Sequence, residues 1–302
     1  MTAENAAAKP HTNIPRGVSA LVGAVFFFSF ADALGKWFGH AGYDSFQIVF
    51  LRYSFGLIPV AIAIAVVGVA GLRTKRPWVH VLRGLFMFAA LTFFFRGLKY
   101  MPLAEGIAVA FSAPLFVTAL SYPVLRERVG LFRWGAVLVG FVGALIILQP
   151  GTETFRPEAL YIVAAAFFFA LAVLTTRRIS VTETNVAMYT YSTIFAGLAT
   201  IPALPFVWVP IDTSHLGLFL LLGLIAGAAS FLMIVAYRNS PAAVNAPFDY
   251  TSLIWGALMG WIVWNETPGA NVWIGALIVV AAGLTITYRE TRAGISMPRR
   301  GR

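Results

Sequence analysis

The chain has 302 residues, of which 59% are hydrophobic and only 11% are charged, and its formal net charge is +10. Soluble domains average about 25% charged residues, so this composition excludes a water-soluble globular protein and indicates an integral membrane protein. The basic excess, which would suggest nucleic acid in a soluble protein, is explained here by positive charge on cytoplasmic loops. The chain contains no cysteine, which excludes disulfides, thiolate nucleophiles and cysteine-bound clusters.

Apolar runs of about 20 residues recur along the chain, and each is long enough to cross a hydrocarbon core of about 30 Å as a helix. Runs such as VFFFSFADAL lack the two-residue alternation of a barrel strand, so helices are predicted. Turn residues and charges divide the chain into ten predicted spans: 17–38, 45–70, 78–98, 102–125, 130–149, 157–178, 184–207, 214–237, 241–264 and 269–288. We therefore predict an all-α membrane protein with short loops and no soluble catalytic domain.

The charge distribution predicts the sidedness of these spans. Most lysines and arginines outside the spans fall on every second loop and on two tails, residues 1–16 and 289–302. Cytoplasmic loops carry such an excess, so both termini are predicted to be cytoplasmic. Trp37, Trp78 and Trp134 lie near span ends, where an interfacial aromatic belt places them. The two signals agree on a multi-pass protein of the cytoplasmic membrane.

The sequence repeats itself at a shift of 139 positions, which pairs Pro102 with Pro241 and Glu127 with Glu266. The predicted repeats are residues 17–150 and 151–288, with five spans each. Because five is odd, equivalent loops lie on opposite sides of the membrane and the repeat is inverted. Inverted repeats let a rigid-body exchange open a central site to either side in turn, which is the geometry of secondary transport. The alternative is an old duplication retained only for packing.

Two segments carry a resemblance to a known family. Residues 112–148, SAPLFVTALSYPVLRERVGLFRWGAVLVGFVGALIIL, have a proline early in span 4, a glutamate that closes it and a glycine-spaced span 5. Together with residues 250–283 they resemble the EamA domain of the drug/metabolite transporter superfamily, and within it the YddG-type bacterial amino-acid exporters. The second half departs from the pattern, because Leu253 stands where the shift places a proline and Pro247 lies six positions earlier.

The resemblance implies two EamA repeats in a bacterial inner membrane. It also implies export of small metabolites, most of all amino acids, including aromatic and apolar ones.

Three charged residues in spans 1 and 2 are candidates for the substrate site. Charged side chains at membrane depth are costly, so they pair or face a cavity. Asp32 and Arg52 each lie about 10 Å below the outer end of their span, and Lys36 is one turn from Asp32 on the same helix face. We predict that these three side chains form a cluster that binds the carboxylate and ammonium of a zwitterion, or that acts as a gate. The alternative is a permanent structural ion pair between the two spans.

The stretch SPAAVNAPFDY places polar residues at the start of span 9. Pro247 has no N–H and clashes with the preceding turn, which frees backbone carbonyls. Such groups are tolerated in a membrane only beside protein or a water-filled cavity. We therefore predict a broken helix bordering a central cavity, in which Asn245, Asp249 and Tyr250 contact a polar substrate. The alternative is that Pro247 ends a first turn and Asp249 caps a shallower helix.

Span 4 holds the predicted counterpart of this break, Pro114 with Ser112 beside it. Aromatic residues make up 15% of the chain, and we expect most of them to pack between helices or face lipid. Four are predicted to line the cavity and to suit an apolar or aromatic substrate: Phe94, Tyr189, Tyr237 and Trp255.

The inverted repeat and the polar residues at membrane depth predict a secondary transporter that works by alternating access, and the resemblance implies that it exports small metabolites, most of all amino acids. A multidrug or hydrophobic-cation exporter, which would need an unpaired carboxylate such as Asp249, stays open, as does a membrane receptor or structural protein. The HExxH and GxSxG patterns do not occur, so no enzymatic activity is predicted. The expected partners are a small-molecule substrate and the lipid bilayer, without nucleic acid, cofactor or metal, and a homodimer stays open.

Overall fold

The computed structural model describes residues 13–125, 131–149, 156–179, 182–240 and 242–292, and these residues form helices without any strand. The helices are α1 (Ile14–His40), α2 (Ser45–Val67), α3 (Pro77–Leu98), α4 (Leu103–Ala110), α5 (Ala113–Leu125), α6 (Leu131–Leu148), α7 (Ala159–Ile179), α8 (Asn185–Thr200), α9 (Leu204–Val207), α10 (Thr213–Asn239), α11 (Ala242–Asp249), α12 (Thr251–Trp264) and α13 (Ala270–Arg292). The prediction of an all-α protein is confirmed for the described residues. Residues 1–12 and 293–302 of the predicted tails, with Glu127 and Pro241, lie outside them.

Seven segments of the described chain are long and apolar enough to cross a membrane: Ile14–His40, Ser45–Val66, Pro77–Leu98, Leu103–Val124, Ala159–Ile179, Asn185–Val207 and Thr213–Asn239. Shorter apolar helices cover Trp134–Leu148, Thr251–Trp264 and Ala270–Thr285. Each predicted span overlaps one of these segments. Following the predicted sidedness, we call the face that holds the α1–α2 and α3–α4 connections the outer face.

Polar capping residues determine where several helices begin. The Asp44 carboxylate accepts a hydrogen bond from the Phe46 N–H at 2.9 Å and so caps α2, and Asp212 caps α10 in the same way through Ser214. Asn13 caps α1 by accepting from the Arg16 N–H at 3.1 Å. Each cap satisfies a backbone donor that the helix itself cannot reach, so the apolar run starts at a defined residue.

The helices of the two halves pack in matched pairs. α1 lies along α10, and α7, which corresponds to α1 in the second half, lies along α3. In the same way α2 packs on α10 while α8 packs on α3, and α6 lies along α13. Exchanging the two halves leaves this list of pairs unchanged, so both halves share one packing scheme.

The match between the halves is incomplete for the smaller contacts, and two of the unmatched contacts lie on the outer side. On the outer side α1 contacts α3, where Gly35 meets the Phe95 ring, and α4 contacts α12, where Ile107 meets Gly256. The equivalent inner pairs, α7 with α10 and α5 with α11, do not pack to a comparable extent within the described ranges. At these two contacts the outer side of this structure is the more tightly closed one.

Close approach of α10 to α2 depends on the glycine pair Gly223 and Gly227. A methyl group on Gly223 would lie 2.8 Å from the carbonyl carbon of Phe55, and one on Gly227 would overlap the Pro59 ring. Small residues at such interfaces let backbones approach and gain dispersion contacts. The glycine spacing noted in the sequence thus serves helix packing.

We expect Gly223→Ala to lower the free energy of unfolding by about 1–3 kcal/mol, because the added methyl group must push α2 away from α10. Gly217→Ala is the matched control on the same helix, since nothing lies within 4 Å of the position a methyl group would take there. Thermal unfolding of both variants in detergent measures the difference. Equal melting temperatures would show that this contact is not tight.

At the inner face Glu183 ties the α7–α8 loop to the start of α3. Its carboxylate accepts from the Lys75 N–H at 3.2 Å and lies 3.4 Å from His80 Nε2. Burial raises the pKa of this carboxyl, but hydrogen bonds from Thr74, Lys75 and His80 outweigh burial and hold the pKa below its ordinary value of 4.5. The ionised form therefore stabilises this contact.

Because the native pKa of Glu183 is depressed, its contribution to stability is fully present above about pH 4.5 and is lost as the pH falls through the native value. We expect Glu183→Gln to lower the free energy of unfolding by about 1–2 kcal/mol at neutral pH, the usual worth of charge-assisted hydrogen bonds. The difference from the wild type should shrink below pH 4.5. Melting curves across this pH range test both statements, and a constant difference would contradict the assignment.

Candidate substrate-binding site

Two helix interruptions meet at the centre of the fold. α4 ends at Ala110 and α5 begins at Ala113, while α11 and α12 are separated by Tyr250 alone. Phe111 and Tyr250 are 139 positions apart, and their ring centroids are 4.7 Å apart. Equivalent breaks of the two halves thus touch, as expected where the pseudo-twofold axis of an inverted repeat crosses the molecule.

The interruptions do not lie at the prolines that the sequence analysis marked. Pro114 is the second residue of α5, a position where its missing N–H costs nothing, and the break lies just before it. The backbone of Pro247 lies within α11, and the break comes three residues later, at Tyr250. Since α11 begins at Ala242, the carbonyl four residues before Pro247 belongs to the first turn, where losing one partner does not end the helix.

Asp32 on α1 and Arg52 on α2 face the same region between these helices. Arg52 is the charged group that acts on the Asp32 carboxylate, yet no hydrogen bond or ion pair joins the two among the described residues. The buried Nη1 of Arg52 has no hydrogen-bond partner, and the guanidinium lies 5.8 Å from the centroid of the Phe95 ring. Two opposite charges at membrane depth are thus left with free hydrogen-bonding capacity, which natural proteins rarely leave unused.

Lys36 does not join this cluster, which corrects the predicted grouping with Asp32. Its ammonium forms an ion pair with Glu266 and donates to the Met101 carbonyl at 2.9 Å, and it lies 4.7 Å from the centroid of the Trp264 ring. Lys36 sits one helical turn nearer the outer end than Asp32, so its long side chain reaches the loops above the cluster.

Glu266 completes an outer latch, by which we mean Lys36, Glu266 and the start of α4. Its second carboxylate oxygen accepts from the Leu103 N–H at 2.9 Å, and Lys36 is only 1% exposed. The latch therefore joins α1, the α3–α4 connection and the α12–α13 connection. From the sequence alone, Glu266 is recognised only as the repeat mate of Glu127.

The remaining predicted residues occupy two neighbourhoods. Tyr189 interacts with Ser230 and with the charge of Arg52, which places it beside the Asp32 and Arg52 region. Tyr237 donates to Asp249 at 3.3 Å, and Asn245 donates to the Ser240 carbonyl at the α10–α11 connection.

Two of the predicted substrate-binding residues carry a buried polar atom without a hydrogen-bond partner in this structure. Ser112 Oγ and Trp255 Nε1 are buried without a hydrogen-bond partner, and Trp255 packs edge-on against Phe26. Phe94 is half-buried beside Phe95, its ring centroid 6.0 Å away.

Arg83, in contrast to Arg52, is a buried arginine with a structural role. It donates to Thr176 Oγ1 at 2.7 Å, to the Met188 carbonyl at 2.5 Å and to Ser192 Oγ, and so ties α3 to α7 and α8. Arg52 makes no such set of bonds. Sequence position alone cannot separate the two arginines, because both lie inside a predicted span.

A small outer vestibule lies above the Asp32 and Arg52 region. It is lined from the start of α2 by Asp44, Ser45 and Ile48, and from the end of α3 by Phe95, Arg96 and Lys99. Phe95 is 1% exposed and forms its floor, with the Arg52 guanidinium against the same ring. One aromatic side chain therefore separates the vestibule from the buried charges.

Comparison with known proteins agrees with this architecture. The sequence profile of the EamA-like transporter family matches residues 15–149 and again residues 156–288. The chain belongs to the EamA-like transporter family. The resemblance to the EamA domain stated from the sequence is thereby confirmed, and this EamA-like protein is a multi-pass protein of the bacterial inner membrane.

Curated relatives of this EamA-like chain carry different cargoes. The S-adenosylmethionine uptake transporter of Rickettsia bellii is 34% identical over 87% of this chain and 90% of that protein. The riboflavin transporter of Vibrio cholerae is 31% identical over 83% of this chain and 85% of that protein. The pseudopaline exporter of Pseudomonas aeruginosa is 28% identical over 90% of this chain and 95% of that protein.

A solved crystal structure shares the fold, with a TM-score of 0.62 and 20% sequence identity over 91% of this chain and 98% of that one.

Proposed function

We propose that this EamA-like protein is a secondary transporter, without enzymatic activity, that moves an amino-acid-bearing metabolite across the membrane by alternating access. S-adenosylmethionine is the first candidate, because several of the curated relatives transport it and because it carries the zwitterionic head group of an amino acid. Free amino acids, the class expected from the sequence, share that head group. Relatives that import and a relative that exports share this fold, so we propose that the gradient sets the direction.

The proposal includes the membrane topology. Seven long and three shorter apolar helices support ten crossings in two inverted halves of five, residues 17–150 and 151–288. The positive charge on alternate loops supports cytoplasmic termini. The two separate family matches support the division into halves.

The observation that carries alternating access is the difference between the two faces. The halves share their largest packing pairs, but the outer contacts of α1 with α3 and of α4 with α12 have no inner equivalents of comparable extent within the described ranges. Exchanging these contacts between the halves would close the inner side and open the outer one. We therefore interpret this structure as the inward-facing state of a transporter.

Asp32 and Arg52 are the proposed head-group site. A carboxylate of the substrate would satisfy the unpartnered Nη1 of Arg52, and an ammonium would satisfy Asp32. The same pair disfavours a purely cationic substrate, because Arg52 would then stay unpaired at membrane depth. The multidrug exporter is for this reason the weaker alternative, and a receptor or structural role leaves the difference between the faces without a purpose.

A second candidate cargo is a flat aromatic metabolite such as riboflavin. The riboflavin transporters of Vibrio cholerae and Rhizobium johnstonii, 31% and 30% identical, support it. Phe95, Tyr189 and Trp255, whose indole N–H is buried and unpartnered, would serve such a ring.

The test is counterflow into proteoliposomes that hold the purified protein and no ion gradient. Labelled S-adenosylmethionine outside should accumulate transiently when unlabelled S-adenosylmethionine is trapped inside. External methionine should compete if the head group is recognised, and riboflavin should compete if the ring is. Counterflow with riboflavin but not with S-adenosylmethionine would reverse the ranking, and no counterflow with any of the three would reject the proposed cargoes.

A further inference from the structure

We infer that the outer vestibule is a second binding subsite, specific for zwitterions, from which the substrate passes to Asp32 and Arg52 when the outer face opens. This inference rests on the proposed transport function but concerns different residues. The subsite consists of Asp44, Ser45 and Ile48 at the start of α2 and of Phe95, Arg96 and Lys99 at the end of α3.

The charges of the vestibule match a zwitterion. Asp44 faces the same pocket as Arg96 and Lys99, yet no ion pair joins them within the described ranges. Arg96 lies over the Tyr161 ring and Lys99 over the Tyr100 ring, so aromatic faces rather than carboxylates hold both cations. A ligand with an ammonium and a carboxylate on one carbon can satisfy Asp44 and one of these cations together.

A buried hydroxyl supports a ligand at this place. Ser45 lines the vestibule and is only 5% exposed, but its Oγ has no hydrogen-bond partner. Buried hydroxyls are almost always hydrogen-bonded in folded proteins, because the unpaired group loses its contact with water. A carboxylate bound in the vestibule would accept from this hydroxyl.

The floor of the vestibule connects it to the central site. Phe95 closes the floor by packing into the space at Gly35, and the Arg52 guanidinium lies against the same ring. This Phe95 contact belongs to the α1–α3 closure, which has no inner equivalent of comparable extent in the described chain. When α1 and α3 separate, a ligand in the vestibule therefore reaches Arg52 by passing one side chain.

The test uses the absence of cysteine from the natural chain. Tyr100→Cys places a single thiol at a half-exposed residue that lines the vestibule, and Thr213→Cys places one at the exposed outer start of α10 as a control. Both also carry Arg52→Gln, which removes the central head-group site. Right-side-out vesicles are then labelled with a neutral, membrane-impermeant maleimide in the presence of methionine.

We expect methionine to slow labelling of Tyr100→Cys about fivefold and to leave Thr213→Cys unaffected. The methyl ester, which lacks the carboxylate, and the 2-hydroxy analogue, which lacks the ammonium, should not protect. Asp44→Asn should remove most of the protection, and so should Arg96→Gln and Lys99→Gln combined in one variant. Asparagine retains the capping oxygen of α2, so Asp44→Asn changes charge without removing the cap.

Three results would overturn the inference: no protection by methionine, equal protection by both analogues, or unchanged protection in Asp44→Asn and in the variant that lacks both Arg96 and Lys99. The counterflow assay on the wild type separates this failure from failure of the proposed function. Protection without any counterflow would reject transport and support a zwitterion site. Counterflow without protection would support transport and reject the vestibule.

Discussion

Replacing Arg52 by glutamine should lower the ratio of maximal rate to KM for a zwitterionic substrate by about a hundredfold. The substitution removes the charge that the carboxylate would contact, together with the opposite charge that acts on Asp32. Arg52→Lys should retain part of the activity, because a lysine supplies the charge without the planar fork. Counterflow in proteoliposomes measures all three proteins, and their melting temperatures show whether each is folded.

The double variant Asp32→Asn with Arg52→Gln separates a binding site from a structural ion pair. If the two side chains only joined α1 to α2, removing both charges would restore the activity that either single change destroys. If they bind the two ends of a zwitterion, the double variant should be as inactive as Arg52→Gln. Recovery of transport in the double variant would contradict the proposed site.

Replacing Glu266 by glutamine should open the outer face. Glutamine can still accept from the Leu103 N–H, but it leaves the buried ammonium of Lys36 without a counter-charge, which costs several kcal/mol unless the lysine reaches water. The Lys36 ammonium would reach water when the latch opens. The population should therefore shift towards the outward-facing state.

The readout is a single cysteine at Leu103, which is fully buried behind the latch. We expect an impermeant maleimide to label Leu103→Cys at least about tenfold faster in the presence of Glu266→Gln. Glu158→Gln, a carboxylate change just before α7 on the same face, is the control and should leave the rate unchanged. Equal rates with and without Glu266→Gln would show that the latch does not hold the outer face closed.

The sequence was sufficient to predict the helical class, the segments that became apolar helices and the family. These depend on composition and run length, which are properties of the chain itself. The repeat shift also identified Glu266, although not the lysine that it binds. Interactions between distant segments, such as Lys36 with Glu266, could not be predicted because spacing gives the helix face and depth of a side chain but not its partner.

The positions of the helix breaks were also not predicted correctly from the sequence. Proline indicates where a hydrogen bond is lost, yet both interruptions lie two or three residues from Pro114 and Pro247. The repeat alone would have located them better, since Phe111 and Tyr250 are related by the 139-residue shift. Phe95 was missed in favour of Phe94 because adjacent residues in a run of three phenylalanines cannot be distinguished without knowing the neighbouring helix.

Within the described residues the outer latch has no counterpart at the inner face, and this bears on the speed of transport. The shift that relates the halves places Thr175, which carries no charge, where Lys36 stands, and the Thr175 hydroxyl donates to the Leu171 carbonyl of its own helix. The Lys36–Glu266 ion pair is therefore present in the state that is closed on the outer side, and it shifts the equilibrium towards that state. An empty carrier should rest with its site towards the inside and return outward slowly. Exchange of one substrate molecule for another, which avoids the empty return, should be faster than net movement in either direction.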